Sequence, residues 1–309
     1  MLIGRRVKDM LAGQAMLAAT TFSAGLVVAI AAGLYLRARP LILRQPVLKL
    51  LLGESWIPSQ GQFGLKPFII GTVWVTAIAV VIAVPLCLLT AVFLAEYAPP
   101  RLRAVAKPLI DLLAGIPSVV YGVWGVLVVV PFVADKLGPF AVAHFKSIPY
   151  LSTEYSAGYS VLAGGIVLAI MVFPVIISVS DEVLRAVPSE FREAALALGA
   201  TRFETICKVV IRRARAGLVA AVALGVSRAL GETMAVLMVA GNVATAPKSV
   251  FDAGYPLPAL IANNYGEVMS IPMYDSALLG SAFVLLIMVL VFNLIARAVF
   301  LRALHGEHI

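Results

Sequence analysis

Six apolar runs, each long enough to cross a membrane, dominate this chain of 309 residues. A helix needs roughly 20 apolar residues to span the hydrocarbon core of a bilayer. The runs cover residues 14–36, 68–95, 108–133, 161–187, 216–240 and 275–300. Charged residues make up only 13% of the chain, about half the usual share, so a soluble fold could not cover itself with polar surface. The pattern predicts an all-α membrane protein with about six transmembrane helices.

The basic residues between the runs predict the orientation. If the N-terminus lies inside, 15 of the 24 Lys and Arg residues fall in cytoplasmic segments, 8 fall outside and Arg228 lies within a run. Cytoplasmic loops of membrane proteins carry the excess of positive charge. We therefore expect both termini in the cytoplasm, with 1–13 as a short N-terminal segment and 14–309 as the transmembrane domain. The loop at 37–66, which holds five basic residues, opposes the rule.

The sequence contains no recognisable motif for ATP hydrolysis or for another energy-converting reaction. It lacks a Gly-x-x-x-x-Gly-Lys-Ser/Thr phosphate loop, a cluster of metal ligands and a pattern of nucleophile and base. The net charge of +8 is spread over short clusters without interleaved aromatic residues, which argues against nucleic-acid binding. We therefore expect no catalytic, cofactor-binding or metal-binding residue and no enzyme, but one subunit of a larger transport machine.

The cytoplasmic loop 188–215, between the fourth and fifth runs, predicts a helix, a sharp turn and a second helix. Ser189 is placed to cap the first helix, and Gly199 suits the left-handed position that ends one. Thr201 and Glu204 have the spacing of a capping box for the second helix. The small residues of the first helix leave a shallow face for a partner protein, although a helix lying on the membrane without a partner fits equally well.

The fifth run contains a charge pair, Arg228 and Glu232, near its middle. An arginine there costs at least ~2.5–3.5 kcal/mol on insertion. Four residues of separation would place both side chains on one helix face, and the planar guanidinium suits phosphate oxygens. Two roles stay open: contact with a passing anion, or a pair for gating or assembly. In the third run, Ser118 and Tyr121 either line an anion path or satisfy backbone groups near Pro117.

Part of the loop resembles the EAA loop of ABC importer permeases, through Glu193-Ala194-Ala195 followed by Gly199. In that family the loop forms the coupling helix that sits in a groove of the cytoplasmic ATPase subunit. The resemblance implies the architecture of a type I ABC importer permease and a coupling role for these four residues. The family pattern ends in a proline, which Arg212 replaces here, so the geometry of the loop's exit differs from the pattern.

Two further stretches, 114–125 and 227–242, resemble the permeases of bacterial phosphate importers, as does Glu54–Pro58 more loosely. This implies a multi-pass subunit of the bacterial cytoplasmic (inner) membrane that imports inorganic phosphate at the expense of ATP. Arg228, Glu232 and Ser118 would then lie on the translocation pathway or its gate. The implied partners are a second permease subunit, ATPase subunits and an extracytoplasmic phosphate-binding protein.

Three alternatives remain at the level of sequence. The cargo could be another oxyanion, namely sulfate, molybdate or phosphonate, because the EAA loop does not discriminate between them. The chain could also be a membrane scaffold that reports phosphate status. A secondary transporter would commonly show two structural repeats, and no internal repeat is visible.

Overall fold

The computed structural model describes residues 2–145, 148, 150–151, 157–266, 271 and 273–305, and for 2–8 and 303–305 it describes the backbone alone. The basic side chains of the N-terminal segment (Arg5, Arg6 and Lys8) and the last four residues therefore lie outside the described part. The description of the fold is confined to the rest.

The described part is mostly helical, with one short hairpin and a non-helical segment between α12 and α13 that contains a single bridge from Gly241 to Gly254. In chain order the helices and strands are α1 Leu2–Arg44, α2 Val47–Leu52, β1 Trp56–Ile57, β2 Gln62–Phe63, α3 Lys66–Val92, α4 Pro100–Ala114, α5 Ser118–Trp124, α6 Val130–Phe132, α7 Gly138–His144, α8 Val161–Arg185, α9 Ser189–Ala197, α10 Arg202–Glu204, α11 Ile211–Leu230, α12 Met234–Val239, α13 Leu257–Asn264 and α14 Tyr274–His305. A 3₁₀ turn lies at Pro58–Gln60, and wide π turns lie at Phe93–Tyr97, Gly125–Val129, Val133–Leu137 and Thr205–Val210. The turn Phe93–Tyr97 ends the helix that α3 begins, and the other three wide turns join flanking α segments into longer helices.

Five helices of the described residues are long and apolar enough to cross a membrane. They cover Asp9–Arg44, Lys66–Tyr97, Ser118–His144, Val161–Arg185 and Tyr274–Arg302. Five of the six predicted runs therefore correspond to such helices, and the all-α fold class is confirmed. The chain is a multi-pass integral membrane protein.

The fifth predicted run, 216–240, is divided between two helices and does not form one continuous helix. α11 ends at Leu230 and α12 begins only at Met234. Gly231, which favours a helix end because it has no Cβ, donates its N–H to the carbonyl of Arg228 at 3.3 Å instead of continuing the α pattern. The run thus has a break in its middle.

The third predicted run, 108–133, is also divided. α4 ends at Ala114, and the membrane-crossing part starts only at Ser118. Pro117 explains the division, because its ring cannot continue a helix and it disfavours the helical conformation of the preceding residue. α4 is amphipathic and lies against the C-terminal half of α8.

A buried carboxylate holds α4 against α8. Asp181 on α8 is 3% exposed, and its oxygens lie 3.4 Å from Nη2 of Arg103 and 4.0 Å from Nζ of Lys107, both on α4. Arg185, one turn further along α8, approaches the same carboxylate at 2.9 Å. Removing a carboxylate that is shared in this way would leave several cations unpaired near the membrane, which is costly.

α8 forms the centre of the packed core. Small residues let neighbouring helices approach it closely, as is typical within a membrane. A Cβ on Gly165 would lie 2.4 Å from Cγ2 of Ile78 on α3, and a Cβ on Gly225 of α11 would lie 2.4 Å from Cγ1 of Ile176. The packing of α3 and α11 on α8 thus fixes the position of the broken fifth run.

The outer end of the fold carries a small aromatic cluster around the hairpin. Trp56 of β1 stacks edge-on with Phe63 of β2 and Phe68 of α3, at centroid distances of 5.4 and 5.1 Å. Tyr274, at the start of α14, joins them at 6.1 Å. The cluster ties the loop after α1 to the outer ends of α3 and α14.

Candidate functional site

The two stretches that resemble phosphate-importer permeases pack against each other. A Cβ on Gly122 of α5 would lie 2.5 Å from Sδ of Met238 and 3.2 Å from Cα of Ala235, both on α12. One turn further, a Cβ on Gly125 would lie 2.8 Å from Cγ1 of Val239. The missing side chains of two glycines therefore allow α5 and α12, the segments that follow the two helix breaks, to make contact.

The break before α5 is stabilised by a tyrosine. The hydroxyl of Tyr121 donates to the backbone carbonyl of Leu113 at 2.9 Å. This carbonyl lies in the last turn of α4, where its backbone partner is the N–H of Ile116 at 3.3 Å and not an N–H of the regular helix. The structure thus favours the backbone-satisfying role for Tyr121. Ser118 is half-buried at the first position of α5, and its hydroxyl makes no hydrogen bond to any described residue.

The break before α12 separates Arg228 from Glu232, and the expectation that they share one helix face was wrong. Glu232 follows the end of α11 and turns towards α12, where its Oε1 accepts a hydrogen bond from the N–H of Ala235 at 3.2 Å. Among the described residues, no carboxylate lies within 4.0 Å of a guanidinium nitrogen of Arg228. In this conformation Glu232 caps a helix and does not pair with the arginine.

Arg228 is exposed in the last turn of α11. The preceding residue, Ser227, donates its hydroxyl to Oδ1 of Asn293 at 3.0 Å and so anchors the end of α11 to α14. The guanidinium of Arg228 is therefore accessible at the junction of the two broken helices. The carboxylate of Glu232, four residues later, is occupied by its hydrogen bond from the N–H of Ala235.

The loop 188–215 has the predicted helix, turn and helix. Gly199 is left-handed at φ +84°, as expected. The capping box is confirmed: Oγ1 of Thr201 accepts from the N–H of Glu204 at 3.3 Å, and Oε2 of Glu204 accepts from the N–H of Thr201 at 3.1 Å. Ser189 does not cap α9, because the helix begins at Ser189 and Pro188 occupies the capping position without a side-chain hydrogen bond.

The residues proposed for ATPase coupling lie at the surface of this loop. Glu193, Ala194 and Gly199 are exposed, and Ala195 is half-buried. Sequence reasoning missed two large apolar side chains beside the turn, Leu198 and Phe203, which are 89% and 68% exposed. The signal was present, since both flank a left-handed glycine in an otherwise polar loop. Their exposure gives the tip of the loop an apolar surface.

The exit of the loop contains no kink at the position where the family has a proline. The chain from Arg202 to Leu230 is helical throughout, with the wide turn Thr205–Val210 in its path. Arg212 lies exposed in the first turn of α11. An N–H is available at this position, so the helix runs directly from the capping box towards Arg228.

The capping box gives the loop a pH-dependent stability. Hydrogen bonds from Lys208 and Thr201 lower the pKa of Glu204 from 4.5 to about 2. A carboxyl whose pKa is depressed by folding stabilises the fold above its unfolded value and loses that contribution as the pH falls through the folded value. We expect Glu204→Gln to lower the thermal unfolding midpoint at pH 7, and the difference from the unchanged chain to shrink below pH 4.5. A difference that stays constant between pH 7 and pH 3 would contradict this role.

Comparisons with known proteins identify the family of such a chain. Residues 83–303 match the model of the family described as binding-protein-dependent transport system inner membrane component. The phosphate transport system permease protein PstC of Xylella fastidiosa is 41% identical over 256 residues, which cover 82% of this chain and 78% of that protein. The probable PstC of Methanocaldococcus jannaschii is 37% identical over 77% of this chain and 75% of its own length.

A third relative and a solved structure agree with the family. The probable ABC transporter permease protein YqgH of Bacillus subtilis is 40% identical over 81% of this chain and 76% of its own length. An inward-facing structure of the MetNI methionine ABC transporter superposes with a TM-score of 0.53 at 19% identity, covering 75% of this chain and 93% of that one. At this identity the structural likeness bears on the fold alone, which is that of a type I importer permease.

Proposed function

This chain belongs to the family of binding-protein-dependent transport system inner membrane components, and we propose that it is the PstC-type permease subunit of an ATP-driven importer of inorganic phosphate. The observation that carries the proposal is the 37–41% identity to PstC proteins over about four-fifths of the chain. Membership in the family itself implies an ATPase and a substrate-binding protein as partners.

The geometry at the two helix breaks supports an oxyanion as cargo. A guanidinium offers several donors in one plane, which match the oxygens of phosphate. Because Glu232 is engaged by the start of α12, Arg228 is available to an anion that reaches the junction. A movement that released Glu232 towards Arg228 would weaken the hold on the anion and let it leave. We infer that α11, α12 and α5 form this chain's half of the pathway, and that Ser118 adds a hydroxyl to it.

The cytoplasmic loop supports ATP-driven coupling. Its exposed tip, with Glu193, Ala194, Ala195 and Gly199 beside the apolar Leu198, fits docking into a groove of an ATPase of the PstB type. A second permease of the PstA type would complete the pathway, and a binding protein of the PstS type would deliver phosphate to the outer end. We place the assembly in the bacterial cytoplasmic membrane. ATP binding and hydrolysis would then switch the pathway between two arrangements of packed helices.

The cargo is tested by uptake into proteoliposomes that contain the complete complex, loaded with ATP and supplied with the binding protein. We expect labelled phosphate to accumulate only when ATP is present, and unlabelled sulfate in about tenfold excess to leave the rate unchanged. Vesicles without the ATPase subunits are the control and should take up nothing. Accumulation of labelled sulfate without phosphate would overturn the assignment of cargo, and uptake without ATP would indicate a secondary transporter.

A further inference from the structure

Arg192 fastens the inner face of the coupling helix α9 to the rest of the chain. Its Nη2 donates to Oε1 of Glu96 at 2.7 Å, and its Nε donates to the same carboxylate at 3.2 Å. The guanidinium also donates to the backbone carbonyls of Val187 and Leu184, the latter at 2.9 Å. One side chain therefore joins α9 to the wide turn after α3 and to the end of α8.

The partners of Arg192 make this attachment strong. The carbonyls at the end of a helix have no partner within it, and they carry the negative end of its dipole, so a cation there is favourable. The side chain of Glu96 is only 9% exposed, and that of Arg192 is 22% exposed. Two-point contact between guanidinium and carboxylate fixes orientation as well as distance.

The part of the loop that follows Gly199 also contacts the wide turn Phe93–Tyr97. Arg202, on the far side of Gly199, donates to the backbone carbonyl of Glu96 and lies 4.8 Å from the ring centroid of Tyr97. A stack of Arg213 over the ring of Phe191, at 3.8 Å, adds a contact between α11 and α9. Arg192 and Arg202, which lie on opposite sides of Gly199 in the chain, thus both bind the turn Phe93–Tyr97.

The two faces of α9 have different tasks. No residue of α9 is fully buried, and its apolar contact with the core is made by the half-buried Phe191, which packs against a cluster that includes Leu184 and Val187. Glu193 and Ala194 are exposed on the outer side, while the neighbouring Arg192 carries the polar contacts on the inner side. Arg192 therefore gives a displacement of α9 a directional connection to the ends of α3 and α8, beside the apolar contact of Phe191.

We propose that Arg192 and Glu96 are the positioning pair through which movement of the coupling helix is transmitted to α3 and α8. The pair touches neither cargo nor nucleotide in this role; it makes α9 and the two helix ends move as one body. The inference rests on the proposed function of this chain as a permease driven by an ATPase. It adds the connection between the docking loop and the transmembrane helices.

The test compares transport with ATP hydrolysis in the complete complex in proteoliposomes. We expect Arg192→Gln and Glu96→Gln each to lower the number of phosphate ions imported per ATP by about tenfold, within the usual range of coupling between sites. The assembled fraction is isolated first, so that loss of assembly does not enter the ratio. Arg192→Lys, which keeps the charge but loses two-point contact, should give an intermediate ratio.

Two further variants separate positioning from mere folding. Lys208→Gln also removes a cation from an ion pair in the same loop, but its pair with Glu204 is exposed at 72% and 42%, and we expect an unchanged ratio. The exchange Glu96→Arg with Arg192→Glu restores an opposite pair but turns a carboxylate towards the carbonyls of Leu184 and Val187, so we expect at most partial recovery of the ratio. An unchanged ratio in Arg192→Gln or in Glu96→Gln would overturn the inference. Failure of the unmodified complex to import phosphate would instead count against the proposed function.

Discussion

Phosphate uptake is expected to be lost when Arg228 is replaced by glutamine, while the complex still assembles. Arg228 forms no ion pair with any described residue, so its removal takes no contact from the fold that the structure shows. Glutamine cannot supply a positive charge or a two-point donor to an oxyanion. Truncating one partner of a desolvated charge pair costs about 2–5 kcal/mol, which would reduce occupancy of the pathway by about 30-fold or more.

The measurement is the initial rate of labelled phosphate uptake, set beside the yield of purified complex. Arg228→Lys keeps a charge without the planar fork and should retain a small part of the rate. Arg297→Gln removes another exposed arginine near the cytoplasmic end of α14 and serves as the matched control, with an uptake rate close to that of the unchanged complex. Normal uptake in Arg228→Gln would exclude direct contact with the cargo.

Gly125→Leu is expected to abolish transport by separating the two broken helices. A Cβ at this position would lie 2.7 Å from Cγ2 of Val167 and 2.8 Å from Cγ1 of Val239. Both neighbours are β-branched and stiff at χ1, so neither can turn aside easily. Overpacking of this kind costs about 1–3 kcal/mol, and the strain falls on the contact that brings the two breaks together.

Thermal unfolding and phosphate uptake measure the two effects of this change separately. Gly13→Leu is the matched control, because a Cβ on Gly13 meets nothing within 4 Å. Leucine is a better helix former than glycine, so the control should be neutral or slightly stabilising. Adding Val239→Ala to Gly125→Leu should recover part of the unfolding midpoint by making room. Equal midpoints for Gly125→Leu and Gly13→Leu would show that the close contact is unimportant.

The membrane-crossing helices were predictable because lipid makes length and apolarity decisive. Runs such as 161–187 and 275–300 match the helices within a few residues. Local signals in the loop were equally informative, since a left-handed glycine and a capping box depend on neighbours within a few positions. These features need no knowledge of which helices meet.

The break at Gly231 was missed because glycine is common in membrane helices and rarely decides their course alone. The spacing of Arg228 and Glu232 also suggested an intact helix. The pairs that connect distant segments, Glu96 with Arg192 and Asp181 with Arg103, could not be read from spacing. Each joins residues at least 78 positions apart, and their meeting depends on the packing of whole helices.

The wide turn Thr205–Val210 lies between the coupling helix α9 and α11, the helix that carries Arg228. A wide turn contains one residue more than the α turn it replaces. Deleting a residue elsewhere in a helix rotates everything beyond it by about 100° and would turn Arg228 away from the junction. Within Thr205–Val210 the helix could absorb the same deletion by reverting to ordinary α geometry. This short stretch is therefore a place where this chain could lose a residue without redirecting the arginine.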